Sequence, residues 1–299
     1  MGGTAATSPA GYDAAIFAAP HGTPYPEHDN RIHAGTAAAL RNALRDDSAW
    51  IENWDFDFGG RLLGEKEFRL ADLGDLETRP EDGPGNRMLI RECTKAILDA
   101  GAVPLMIGGD DSTPIPFIEA FASHAPLTIL QIDAHIDWRE ERYGEHYGFS
   151  STMRRASEMK HVDRIVQVGM RGIGSARRAE VDFAKAWGAQ FVTSREVLDD
   201  GIAGAIAKIP DGARCLITVD CDALDSSVMP AVAYPTPGGL TYNHLTGLIQ
   251  GVARKARIVG FDLIEFVPGR DESGMAAFTA ARIVSNVIGT LASAYPAKV

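Results

Sequence analysis

Two short apolar runs in this chain each stop at a cluster of acids. Residues 126–132 lead into Asp133-Ala-His135-Ile-Asp137, and residues 215–219 lead into Asp220-Cys-Asp222. Runs of this length and composition read as buried strands. Side chains alternate along a strand, so the acids and the His at i, i+2 and i+4 are expected on one side. Sheets of the α/β class place their sites beyond the carboxyl edge, where both clusters would converge. Carboxylates crowded without a counter-charge repel one another, which makes a cation their expected companion. Either cluster alone reads equally well as polar strand ends capping the next element; the pair together does not.

Helical and strand patterns alternate from about residue 30 onward. Helices are expected over 32–45, 86–100, 115–123, 151–159, 176–187, 194–208, 242–255 and 275–292. Strands are expected over 68–73, 103–107, 127–132, 164–168, 190–192, 215–219 and 257–261. That alternation predicts an α/β fold, a three-layer α-β-α arrangement around a mainly parallel central sheet. No linker of biased composition and no repeat divides the chain. Residues 1–12 read as a mobile tail and 13–299 as a single domain.

Composition narrows the function classes. The net charge is −11, and there is no run of Lys or Arg. This argues against nucleic acid and anionic membranes as partners and mildly favours a cationic ligand. No stretch approaches the roughly 18 consecutive apolar residues of a membrane span. The N-terminus lacks the basic region of a signal peptide, and Ala6 breaks the myristoylation pattern. Three cysteines, Cys93, Cys215 and Cys221, cannot close a disulfide framework and have no CxxC spacing. A cytoplasmic location is the expectation.

Among the remaining motifs, Gly108-Gly-Asp-Asp-Ser112 follows a strand and adds two more acids at the sheet edge. Its glycines permit a tight turn, and its acids serve either as helix caps or as a third source of ligands. Gly172-Ile-Gly174 hints at a dinucleotide fingerprint, but the third glycine and the acidic ribose partner are missing. No G-x-S-x-G elbow is present.

Five collinear segments resemble the ureohydrolase family, which includes arginase, agmatinase and guanidinobutyrase. They are Leu105-Met-Ile-Gly-Gly-Asp-Asp-Ser112, Gln131-Ile-Asp-Ala-His-Ile-Asp137, Arg164-Ile-Val-Gln-Val-Gly-Met-Arg-Gly172, Val219-Asp-Cys-Asp-Ala-Leu-Asp225 with Pro235-Thr-Pro-Gly-Gly-Leu-Thr241, and Gly260-Phe-Asp-Leu-Ile-Glu265. Met153-Arg-Arg-Ala-Ser-Glu158 resembles the agmatine and guanidino-acid branches more than arginase. The resemblance implies hydrolysis of a small cationic guanidino compound to urea and an amine by a hydroxide bridging two divalent ions, most readily Mn²⁺. By the same resemblance, Asp133 and Asp220 would bridge the ions, His135 and Asp222 would bind one, and Asp137 the other. Asp137 would also accept a hydrogen bond from the nucleophile, and Glu265 would receive the guanidinium. A trimer or hexamer is implied as well.

Two departures from the family pattern stand out. Asp111 occupies a place where the family carries a metal-ligating His. With Asp111 as a ligand, five carboxylates and His135 would face two divalent ions, leaving a formal charge of −1 that favours a hard ion. Phe149 falls near the place of a family His implicated in proton transfer or substrate contact, while His146 lies close but out of register. His146 is therefore open as either a catalytic and substrate-binding group or a surface His, and Phe149 is a candidate substrate contact. Trp138, Tyr143, Tyr147 and Phe149 are candidates for an apolar wall. A non-catalytic subunit with an assembly or regulatory role, and a hydrolase of a related amidine such as formiminoglutamate, are the rival readings.

Overall fold

The computed structural model describes residues 3–45, 51–64, 68–174 and 176–294. The chain opens with β1 (Thr4–Ala5), β2 (Ala14–Ala19), α1 (Thr36–Ala43), a hairpin of β3 (Trp54–Asp55) and β4 (Gly60–Arg61), β5 (Leu70–Asp75) and α2 (Gly83–Asp99). It continues through β6 (Val103–Gly108), α3 (Pro114–Glu119), β7 (Leu127–Ile132), α4 (Thr152–Glu158), β8 (Val162–Val168), α5 (Arg178–Trp187) and β9 (Gln190–Val192). The last third holds α6 (Ser194–Asp200), α7 (Ala203–Ala207), β10 (Arg214–Asp220), α8 (Tyr242–Ala253), β11 (Arg257–Ile264) and α9 (Met275–Ala294).

Nine strands form one sheet in the order β1-β5-β2-β6-β11-β10-β7-β8-β9, with every neighbouring pair parallel. Alternation along the strands sorts side chains onto two faces, as a sheet covered on both sides requires. Val103, Leu105 and Ile107 of β6 and Cys215, Ile217 and Val219 of β10 pack with α1, α8 and α9. Met106, Leu216 and Ile129 pack on the other face with α2, α3, α4 and α5. Three layers result, as the alternating pattern predicts.

Four local outcomes differ from expectation. The helix expected over 32–45 begins only at Thr36, because Asn30–His33 forms a separate 3₁₀ turn and Gly35 takes φ 85°. The helix expected over 194–208 breaks into α6 and α7 at Gly201, whose φ of 78° interrupts helical geometry. Within the stretch expected as a tail, Thr4 and Ala5 pair with Ala71 and Asp72, adding an edge strand; residues 1–2 and 295–299 lie outside the described residues. Strand β2 had no expectation at all, yet it is wholly buried between β5 and β6. Among the described residues α9 alone is long and apolar enough to cross a bilayer, but 78% of its apolar window is buried inside the protein.

Asp262 in β11 is fully buried; Thr218 donates to its Oδ1 at 2.6 Å, and its Oδ2 has no partner. Burial pushes its carboxyl up to about 8, against an ordinary value of 3.8. The folded protein therefore keeps this proton over a range where the unfolded chain releases it. The group's stability contribution is full below pH 3.8 and is lost as pH rises toward 8. In chelator-treated protein, Asp262→Asn is expected to match the parent at pH 4 and to unfold at a higher temperature at pH 7. The difference is on the order of 3 kcal/mol. Parallel plots of melting temperature against pH for the two proteins would refute this.

Candidate metal centre

The acidic clusters stand at the carboxyl ends of four adjacent strands, β6, β11, β10 and β7. Alternation along a strand is not what turns them inward, contrary to the sequence expectation. Strand β7 ends at Ile132, before Asp133, and Asp222 lies in a 3₁₀ turn after β10. A shared local device does the work: an Asp carboxylate accepts the N–H two residues on. His135 N–H donates to Asp133 Oδ1 at 2.6 Å, Asp222 N–H to Asp220 Oδ1 at 2.7 Å, and Ser112 N–H to Asp110 Oδ1 at 3.1 Å. Such turns reverse the chain within two residues and hold the carboxylate rigid. Asp110 thereby serves its own turn, which leaves Asp111 to face the site. Gly109 is required here, since a Cβ would lie 2.5 Å from the Pro20 carbonyl oxygen.

Two donor triads form. Ligand atoms of Asp133, His135 and Asp222 lie within 4.8 Å of one another, as do those of Asp111, Asp133 and Asp137. Asp133 belongs to both. His135 Nδ1 is 3.1 Å from Asp222 Oδ2 and 3.4 Å from Asp133 Oδ1. Asp220 lines the same cavity but falls outside both triads. Both carboxylate oxygens of Asp111 are buried and lack any hydrogen-bond partner. A buried, unpaired carboxylate is costly, and a cation is the partner that removes the cost. The residues thus fit divalent ions: all donors are hard oxygens apart from one imidazole.

Titration behaviour agrees. Burial, and next the neighbouring carboxylates, hold Asp111, Asp137 and Asp220 well above the usual range. Burial also raises Asp133, against the pull of His135. Burial alone would lower His135, but hydrogen bonds to Asp133 and Asp222 push it up to about 12. Without a cation these groups retain protons that ligands must release, so metal affinity is expected to rise with pH.

An amide relay behind the centre was not anticipated from sequence. Trp138 Nε1, which can only donate, bonds Gln167 Oε1 at 2.7 Å. That fixes Gln167 Nε2 toward Gln131 Oε1 and the Ile136 carbonyl. Gln131 Nε2 is then left to donate to Asp133 Oδ2 at 2.7 Å and Asp137 Oδ2 at 2.9 Å. Gln131 and Gln167 are register partners across β7 and β8. The signal in the sequence is a buried-strand glutamine one position before the last residue of each of these two strands. Trp138 belongs to this buried relay, so it forms no part of a cavity wall.

Glu265 follows β11 with φ 64°, one of three non-glycine residues at positive φ together with Asp137 and Tyr143 among the described residues. Backbone held there costs about 1–3 kcal/mol and survives where neighbours overdetermine it. Here Glu265 N–H donates to the Gly109 carbonyl at 2.8 Å, and Asp111 N–H donates to Glu265 Oε1 at 2.9 Å. His33, buried and unforeseen, donates from Nδ1 to the Phe266 carbonyl at 3.0 Å and sets Nε2 3.5 Å from Glu265 Oε2. Burial raises the Glu265 carboxyl well above its ordinary value.

Asp111, His135, Asp137, Asp220, Asp222 and Glu265 share a cavity of about 580 Å³ with Phe149, Tyr234, Ile173 and Arg142. Phe149, the candidate substrate contact, lines this cavity. Its ring meets Tyr25 at 4.8 Å and His28 at 5.1 Å. His146 is not brought to the site: it is exposed, and its Nδ1 bonds the Glu140 carbonyl at 3.0 Å. Its loop pairs Arg142 with Glu145 through the backbone, which turns the following His outward. Tyr147 lies under Arg87 and Tyr143 is exposed, so only Phe149 of the proposed aromatic wall lines the cavity. The glycine motif at 172–174 forms part of the rim, with Gly174 beside His135; Ser175 lies outside the described residues. Arg171 braces that rim by donating to the carbonyls of Asp222, Leu224 and Thr236.

The same architecture occurs in known proteins. Proclavaminate amidinohydrolase from Streptomyces clavuligerus is 29% identical over 295 residues, covering 96% of this chain and 90% of that one. A solved structure of that name superposes with a TM-score of 0.84 at 27% identity, covering 97% of this chain and 95% of the other. The agmatine ureohydrolase structure from Thermoplasma volcanium gives a TM-score of 0.76 at 26% identity, over 93% and 89% of the two chains. A mitochondrial guanidino acid hydrolase from Homo sapiens is 28% identical across 95% of this chain and 80% of its own. Residues 13–289 match the arginase family as a whole, and this chain belongs to that family.

Proposed function

We propose that this protein is a metal-dependent hydrolase that cleaves a linear guanidino compound to urea and an amine, in the agmatinase and guanidino-acid branch. The observation that carries this is the pair of triads joined at Asp133, whose members Asp111, His135, Asp137 and Asp222 line one cavity with Glu265. When bound, two divalent ions, manganese by the hardness of the donors, supply a water acidic enough to ionise near neutral pH. Asp133, common to both triads, would hold the centre with Asp220, while His135 and Asp222 would bind one ion and Asp111 and Asp137 the other.

The substrate guanidinium docks on Glu265, whose carboxyl gives up its proton to pair with a planar cation. The Asp111 N–H holds one carboxylate oxygen and His33 packs beside the other, so the guanidinium carbon is presented toward the triads. The water's oxygen adds to that carbon. Asp137 takes up a proton on its carboxylate and returns it to the departing nitrogen as the C–N bond breaks, leaving urea and an amine. His146, exposed and turned to Glu140, has no part in this. Asp111 stands in a triad with unpaired oxygens, which favours a working centre over a non-catalytic subunit. Cytoplasmic location and a trimeric or hexameric assembly belong to the same proposal.

Metal analysis by mass spectrometry on Mn²⁺-loaded protein, beside a urea assay over guanidino compounds, tests the reading. Near two ions per chain and urea from one substrate class are expected. Fewer than one ion with no urea would reject it, and formamide from a formimino substrate in place of urea would move the reaction to an amidine.

A further inference from the structure

The cavity has an acidic floor, but one side of its mouth is cationic. Apart from His135, Arg142 is the only basic residue among the described residues that line it. Its guanidinium sits over the Tyr25 ring at 5.4 Å and the Tyr143 ring at 5.0 Å. Stacking occupies the planar face, one N–H donates to the Tyr143 hydroxyl at 3.5 Å, and the remaining N–H edge is left for a partner. No carboxylate lies within ion-pair distance of it among the described residues. The acid beside its aromatic neighbour, Glu27, instead accepts the Tyr143 hydroxyl. Arg142 is half-buried, and a partly desolvated guanidinium without a counter-ion is an arrangement that an incoming anion completes.

We infer that Arg142 binds a carboxylate at the far end of the substrate, so that the enzyme takes ω-guanidino acids in preference to guanidino amines. This rests on the hydrolytic reading above. Glu265 would hold the cationic end, the methylene chain would run between Phe149 and Tyr234, and Arg142 would grip the anionic end. A guanidino amine such as agmatine would instead bring a second cation against Arg142. The overall charge of −11 favours cations at long range, but the choice between tails is made at contact distance, where Arg142 decides.

The test is calorimetric binding and urea release on the full, Mn²⁺-loaded chain. It uses guanidinobutyrate, agmatine of matching length, and butylguanidine, whose tail carries no charge. The parent is expected to bind the acid about 10- to 100-fold more tightly than either analogue, the usual worth of a charge-assisted pair. Arg142→Gln should bring the ratio of acid to neutral binding toward one, acting on KM rather than kcat. Arg142→Glu should invert the preference toward agmatine, an outcome that misfolding cannot imitate. Failure of the parent to bind the acid, equal binding of acid and amine, or an acid preference that survives Arg142→Glu overturns the inference. Acid-selective binding without urea upholds the carboxylate subsite and overturns the hydrolytic reading instead.

Discussion

Asp133→Asn is expected to drop bound metal below one ion per chain and to cut urea release at least about a thousandfold, some 4 kcal/mol of transition-state stabilisation. Asp133 is the one residue common to both donor triads, so its loss weakens both ion sites together. The substitution is close to isosteric. The His135 N–H can still reach the side-chain oxygen, while the new amide opposes the Gln131 donor that now faces Asp133. Its effect on the metal-free protein should have the opposite sign. One fewer acid in a cluster that burial and mutual repulsion already hold protonated should leave the apoprotein at least as stable, more clearly so at pH 8 than at pH 5. Metal content by mass spectrometry and thermal melts with and without chelator separate these effects. Full metal and full activity in Asp133→Asn would end the two-triad assignment.

Glu265→Gln is expected to separate binding of substrate from binding of metal. Glu265 belongs to neither triad, so the variant should keep the parent's ions. Its remaining oxygen can still accept from the Asp111 N–H, which keeps the Gly108–Ser112 turn in place. What disappears is the negative charge that faces the guanidinium. A buried charge-assisted pair lost with one partner left unpaired costs about 3–4 kcal/mol, or two to three orders of magnitude in kcat/KM. The loss should fall largely on KM. Equal loss of metal and activity would place Glu265 in the metal centre instead of beside it.

The local content of this protein was legible from its sequence wherever a short window carried the physics. Apolar runs ending in Asp133 and Asp220 mark β7 and β10, because a strand buried on both faces needs a continuous run of apolar side chains. The Gly-Gly turn before Asp111 is equally local. Helix α2 shows its period of apolar residues, and Asp82 caps it as its residue type favours. Strand β2 did not show itself, since the alanines that flank Ile16 and Phe17 are poor strand formers and the segment is held extended by β5 and β6 on either side.

The site divides the same way. The residue types of the candidate site could be read from Asp133, His135, Asp137, Asp220, Asp222 and Glu265. Which of them meet could not. Their convergence depends on β6, β11, β10 and β7 becoming neighbours, and the β6 and β11 segments are more than a hundred residues apart in the chain. His33 reaches Glu265 across 232 positions, since the pair 33 and 265 is joined only through packing. Gln131 and Gln167 become a relay only once β7 and β8 lie in register. Loop direction decided the remainder: His146, near the expected place in sequence, turns to solvent, while Arg142, four residues earlier, turns to the cavity. Residue chemistry and strand periodicity are properties of a few adjacent residues, so the chain alone determined them. Distances between segments are set by sheet order and by the packing of loops against it, and those only the tertiary structure decided.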